Sequence, residues 1–176
     1  MYQYIPPKAP KKTTGIILLL LAAASVAVFF TTIFPNMPLR WLLQLFAVCV
    51  LAAIIYITTR YVTRSYIYKL SPRDDTGAID FTVTELTGGK HAVTVCRIGA
   101  ENITDIFLVT PENRADMKKK SLADGRKRFI YICDIQPPLT LLIFAEECGE
   151  PISIMISANG ELAELLSRSS GKEIAK

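Results

Sequence analysis

The chain begins with two apolar stretches and then changes to a pattern that alternates apolar and polar side chains. Residues 13–39 and 41–59 contain no charged side chain, and the segment Pro35–Pro38 lies between the two apolar cores. About 20 apolar residues, rising about 1.5 Å each, cross a hydrocarbon core of roughly 30 Å. The pattern therefore predicts a transmembrane helical hairpin over residues 13–62, with spans at about 15–34 and 39–59.

Charged residues are distributed unevenly, and their distribution orients the hairpin. The net charge is +4, yet all 16 acidic residues lie beyond Arg73. Only Arg40 lies near the connection between the spans, whereas basic residues cluster at the outer ends. These are Lys8, Lys11 and Lys12 before the first span, and Arg60, Arg64, Lys69 and Arg73 after the second. The positive-inside rule then predicts a multi-pass protein of the cell membrane with both termini cytoplasmic and a basic tail at residues 1–12.

A cleaved signal peptide is the competing interpretation of the first apolar stretch. Lys11 and Lys12, the apolar run Ile16–Leu21 and the alanines at 22–24 imitate its three regions. The apolar run, however, continues through Phe34 without a break, which favours a membrane span. The second span keeps its basic end inside under either interpretation.

Beyond the second span the period becomes that of β-strands. Apolar residues alternate with polar ones at 79–84 and again around Val93 and Val95, on either side of Gly88-Gly89, which predicts a β-hairpin. Further strands are predicted at Ser65–Leu70, Ile103–Thr110, Phe129–Asp134, Leu139–Ala145 and Ile152–Ser157. Asn159 is a suitable N-cap for a final helix, with Leu162, Leu165 and Leu166 on one face.

Seven strands followed by one closing helix resemble the pleckstrin-homology-like (PH-like) fold over about Ser65–Arg168. Bacterial membrane proteins that join two N-terminal spans to such a cytoplasmic domain are a similar arrangement. The predicted class is α+β: a transmembrane helical hairpin, then an antiparallel β-rich PH-like domain at 65–168 with a C-terminal helix, and a disordered tail at 169–176. The alternative is an α+β sandwich in which residues 112–123 form a second helix.

Small and amide residues within the spans are candidates for contacts between helices. Ala23 and Ala27 are four positions apart and share a helix face, where small side chains permit close approach. Gln44 is the one amide inside a span, and such an amide commonly finds a partner on another helix. The partner is the neighbouring span or another membrane protein, a second copy of this chain included.

Residues suited to catalysis or metal binding are few. His91 is the only histidine, and no nucleophile or carboxylate is set beside it by local spacing. Cys96 and Cys133 fall on apolar strands, where cysteine packs as a small hydrophobe. No metal site, cofactor or catalytic residue is predicted. The part after residue 64 carries 14 basic and 16 acidic residues, so nucleic acid is not an expected partner either.

A basic segment is the feature that bears on function. It combines two groups within eleven positions, Lys118, Lys119 and Lys120, and Arg126, Lys127 and Arg128, around a predicted loop at 121–125. Beneath a membrane these side chains could meet anionic lipid headgroups, and the ordinary alternative is a solvated loop. We expect an integral membrane protein with a cytoplasmic binding or scaffolding domain and no enzymatic activity. The alternative is an auxiliary subunit that joins a larger membrane assembly through its hairpin.

Overall fold

Two long helices precede a domain of two β-sheets. The computed structural model describes residues 1–7, 11–31, 40–73, 75, 77–88, 91–134, 137 and 139–175. Helix α1 (Lys11–Thr31) and helix α2 (Arg40–Ile57) contact each other. The connection predicted at Pro35–Pro38 and the basic residue Lys8 lie outside the described residues.

By length and composition, one described helix qualifies as a membrane span. It is the stretch Trp41–Thr63, which has 23 residues and a mean hydropathy of 2.3. This stretch comprises α2 and a π-helical continuation, Thr58–Thr63. The apolar part of α1, Gly15–Phe30, is shorter. Each predicted span overlaps a helix, but of the described helices only the second is long and apolar enough to cross a membrane, so the two-span hairpin stays a prediction.

Sheet A is an antiparallel sheet with the strand order β1-β2-β3-β4. Its strands are β1 (Tyr2–Tyr4), β2 (Arg64–Pro72), β3 (Ile79–Thr87) and β4 (His91–Gly99). Strand β2 follows the helical segment directly, because Arg64 already has extended backbone angles. The first strand comes from the N-terminus and pairs Tyr4 with Tyr68. The segments before α1 and after α2 therefore belong to one sheet.

Sheet B has the strand order β6-β8-β7-β5-β9. Its strands are β5 (Ile103–Val109), β6 (Lys127–Tyr131), β7 (Thr140–Glu147), β8 (Glu150–Ser157) and β9 (Ile174–Ala175). The central pairs β5–β7 and β7–β8 are antiparallel, whereas β6 is parallel to β8 and β9 is parallel to β5. Helix α3 (Arg114–Lys120) connects β5 to β6, and helix α4 (Gly160–Ser170) follows β8.

The main core lies between the inner faces of the two sheets and α4. Tyr68, Phe81 and Val83 of sheet A and Ile143, Ile154 and Ile156 of sheet B are fully buried there, with Leu162 and Leu166 of α4. The α4 helix begins as the sequence predicts, because Asn159 Oδ1 accepts a hydrogen bond from the Leu162 amide at 2.8 Å. A second apolar cluster, around Met117, Leu142 and Phe144, lies under α3 on the outer face of sheet B.

All seven strands predicted after the spans are present, as is the final helix, but three expectations need correction. Sheet B is mixed, so the domain is not antiparallel throughout, because β6 lies parallel beside β8. The helix of the alternative interpretation exists as α3, since Met117 anchors it on sheet B. The tail expected to be disordered from Ser169 instead ends α4, turns at Gly171 (φ 67°) and forms β9, where Ile174 packs on the core.

Candidate functional site

The two basic groups lie mostly in regular structure, on either side of the predicted loop at 121–125, which is a pair of turns. Lys118, Lys119 and Lys120 form the last turn of α3, where their charges favour the negative end of the helix dipole. Beyond a buried Ser121 and a short 3₁₀ turn at Ala123–Gly125, the chain enters β6. The three lysines are exposed.

Several of these cations are already held by protein groups. Lys120 Nζ lies 4.8 Å from the centre of the Phe107 ring, and Arg126 Cζ lies 4.2 Å from the centre of the Phe144 ring. Both rings belong to the cluster under α3, so these two cations close its edge.

The two basic residues of β6 differ from each other. Lys127 forms an ion pair with Glu150. Arg128 is half-buried, its pKa is lowered by desolvation, and its Nε has no hydrogen-bond partner among the described protein atoms. Of the six predicted residues, Lys118 and Lys119 are thus the most open to an external anion, since the structure shows the others engaged with protein groups or half-buried.

None of the three residues predicted to form helix contacts is buried between α1 and α2. Ala23, Ala27 and Gln44 are exposed. Ser25 and Ala47 are the buried residues of the pair; Ser25 lies on a different face of α1 from Ala23 and Ala27, whereas Ala47 is one turn from Gln44 on α2. The exposed stripe formed by Ala23 and Ala27 on α1 is consequently accessible to a partner outside this chain.

The structure places His91 and Cys96 on β4, as predicted, whereas Cys133 follows the end of β6 instead of lying on a strand. His91 is exposed at the first position of β4, and Cys133 is buried in the core. Cys96 is half-buried on β4. Among the described residues, no three His, Cys, Asp or Glu side chains are grouped as metal ligands.

A cleft between the open edges of the two sheets is the site that the sequence analysis missed. Its volume is about 230 Å³, and it is lined by Val95, Cys96 and Arg97 of β4, Phe129 and Tyr131 of β6, and Glu147 of β7. Strands β4 and β6 are the outermost described strands on this side of their sheets. The lining thus combines apolar and aromatic side chains with polar ones, among them Thr94 and Glu147.

A β-bulge shapes this cleft. Val83 pairs with Cys96 and Thr84 with Thr94, so Val95 is the extra residue on β4. The Val95 carbonyl accepts a hydrogen bond from the Tyr131 hydroxyl at 3.2 Å, which joins the two edges across the cleft. The sequence does carry a signal for the bulge, because the apolar alternation shifts by one position between Val95 and Ile98.

The chemistry of the cleft favours binding. Burial raises the pKa of the Cys96 thiol to about 12, and the negative charge of Glu147 adds to the effect. The thiol is therefore protonated at neutral pH and is a poor nucleophile. The rings of Phe129 and Tyr131, the Cys96 thiol and the Glu147 carboxylate together suit an extended chain that has both apolar and polar groups.

A buried carboxylate at the end of sheet A farthest from α2 was also not predicted. Asp80 is almost fully buried and accepts hydrogen bonds from Arg73 Nη2 at 2.6 Å and Arg97 Nε at 2.8 Å. Burial alone would raise its pKa, but the two guanidinium groups outweigh burial and lower the pKa below 3.8. Because its charge is matched by these partners, the group fixes the ends of β2, β3 and β4.

Comparison with known proteins gives no match: no protein-family model, curated protein or solved structure corresponds to this chain.

Proposed function

We propose that the protein is a two-span integral membrane protein whose cytoplasmic β-rich domain binds or scaffolds a partner at the membrane. The observation that carries the proposal is the pairing of β1 with β2. These strands flank the two helices in the sequence, and a hydrogen-bonded sheet lies on one side of a membrane. If α2 crosses the bilayer, the chain must cross an even number of times, so α1 crosses as well.

The dimensions of α1 agree with this topology. Its 21 residues, at about 1.5 Å per residue, have a length of roughly 31 Å, close to the hydrocarbon thickness, and its apolar part, Gly15–Phe30, accounts for roughly 24 Å of that length. Charge asymmetry supports a cytoplasmic location for sheet A, since basic residues flank it at the ends of both helices.

The cleft beside Tyr131 is the proposed binding site of the domain, with the exposed lysines of α3 as a second surface for anionic lipid headgroups. A PH-like classification belongs to the same proposal. It is supported by the β2–β4 meander, the second sheet and the terminal helix α4. The parallel strand β6 and helix α3 are departures from that arrangement.

Topology and strand pairing can be tested in the same membranes. A reporter fused after Lys176 should behave as cytosolic and one inserted at Asn36 as external. Cysteines placed at Gln3 and Lys69, which are paired residues of β1 and β2, should crosslink on mild oxidation. The matched control joins Gln3 to Thr82, one strand further away, and should not crosslink. An external signal from the Lys176 fusion, or equal crosslinking of both pairs, contradicts the proposal.

The exposed stripe of Ala23 and Ala27 favours a second candidate, an auxiliary subunit that docks through its helices. The two functions predict different crosslinked partners. Substitution of both alanines by isoleucine should remove a partner held by the helices and leave a partner held by the cleft.

A further inference from the structure

The tip of the β3–β4 hairpin is fixed beside the end of the membrane helix. The Thr63 carbonyl, at the last π-helical residue, accepts a hydrogen bond from the Gly88 amide at 3.1 Å. In the next row Arg64 pairs with Thr87, and Thr87 pairs with His91. No loop separates the helix from β2, so the depth of Thr63 sets the depth of the hairpin tip.

The length of the helix gives that depth. Trp41–Thr63 has 23 residues and, at about 1.5 Å per residue, is roughly 34 Å long, a few Å more than the hydrocarbon core. Arg60 and Tyr61, with the Arg60 guanidinium carbon 5.9 Å from the centre of the Tyr61 ring, are suited to the headgroup layer. Thr63, and with it Gly88, reaches this layer.

The first residues of β4, next to the hairpin tip, are exposed although they include the apolar residues Ala92 and Val93. All four residues His91–Thr94 are exposed, and Val93 has 60% of its surface accessible. Val93 pairs with Glu85, which pairs with Tyr66, so the three side chains share the inner face of sheet A. Tyr66 is buried under sheet B, whereas Val93 extends beyond it.

We propose that the His91–Val93 end of β4 rests in the lipid headgroup layer, with Val93 against the lipid surface. The proposal rests on the two-span topology above and names the bilayer as the partner of this surface. Val93 lies in the row of Tyr66, three strand residues beyond Thr63, so about 10 Å along the strand separates the two. His91, in the row of Arg64, therefore lies within the headgroup layer, and Val93 lies at its outer boundary. Its exposed apolar surface then contacts lipid.

This placement also orients the cleft. Val93 continues the inner face of β4 toward Val95, which lines the cleft. One end of the cleft therefore faces the membrane surface.

The test uses the full chain in vesicles that contain a lipid with a spin label at its headgroup. Trp41 is the only tryptophan and reports on α2 in the native chain. In a Trp41→Phe background, Val93→Trp and His91→Trp place the reporter at the tip. Ile79→Trp is the control, because Ile79 pairs with Pro72 at the opposite end of sheet A and is also partly exposed.

We expect spin-labelled lipid to quench the Val93→Trp and His91→Trp emission strongly and the Ile79→Trp emission hardly at all. Equal, weak quenching at the tip and at Ile79, with Trp41 quenched in the native chain, overturns the inference and leaves the topology intact. Unquenched Trp41, together with a cytosolic reporter signal at Asn36, instead overturns the topology itself.

Discussion

Replacement of Tyr68 by phenylalanine tests how the two sheets are held together. Tyr68 is fully buried on β2, and its hydroxyl donates to the Tyr131 carbonyl of β6. The same oxygen accepts from the Ser157 amide of β8 at 3.3 Å. One hydroxyl thus connects sheet A to two strands of sheet B. Burial raises the pKa of Tyr68, so the group stays protonated and keeps its donor at any pH at which the protein is stable.

The expected loss of stability follows from the two backbone groups, the Tyr131 carbonyl and the Ser157 amide, that phenylalanine would leave without this hydrogen-bond partner. A buried carbonyl or amide without a partner costs about 1–3 kcal/mol. Two such groups, with some relaxation, give a decrease of about 2–4 kcal/mol in the free energy of unfolding. Phenylalanine keeps the ring, which lies 6.3 Å from Tyr4 and 6.4 Å from Phe81 between ring centres, so loss of packing contributes little.

The measurement is pulse proteolysis of the full chain in detergent across a urea series, because it reports the folded fraction of the domain. Tyr66→Phe is the matched control. Tyr66 is also a core tyrosine, but its hydroxyl pairs with the Arg64 side chain near solvent, so its removal should cost about 1 kcal/mol or less. A Tyr68→Phe midpoint equal to that of Tyr66→Phe would refute the role assigned to the hydroxyl.

Three further predictions concern α4, sheet A and α3. Leu166→Asp should unfold the domain, because a charge enters a fully buried site, and circular dichroism should show loss of the strand signal. Leu165→Asp should destabilise the domain less, since Leu165 is only partly buried. Asp80→Asn should destabilise by about 2–4 kcal/mol at neutral pH. Because the folded pKa of Asp80 is lowered, the difference from wild type should shrink only as pH falls below about 3.8, and a constant difference in acid would contradict this assignment. Charge reversal of Lys118, Lys119 and Lys120 should weaken binding of the protein to anionic vesicles at low salt and leave its unfolding midpoint unchanged. An equal loss on neutral vesicles would exclude the electrostatic contact.

Local sequence patterns were sufficient to predict the strands that contribute most of the core. Alternation predicted β3 and β4, and the apolar run at Leu139–Ala145 predicted β7, because burial on one or both faces leaves a direct trace in the sequence. The start of α4 was predicted from Asn159, since a capping side chain acts within three residues.

The missed elements depend on distant partners. Strands β1 and β9 have three and two residues, too few for a period, and each exists because an edge of a sheet receives it. The parallel position of β6 beside β8 is likewise set by tertiary packing and not by the local sequence. The cleft required both edges to be known, so Val95 and Tyr131 could not be joined from local spacing.

The pairing of β1 with β2 has a consequence for the order of events during synthesis. Tyr4 leaves the ribosome first, but its partner Tyr68 follows 64 residues later, which at about 5–20 residues per second is a delay of roughly 3–13 s. The N-terminal strand must wait until both helices have been made before it can close the edge of sheet A. Protection of the β1 backbone amides from hydrogen exchange therefore reports that both helices and β2 have been made and that the edge of sheet A has closed.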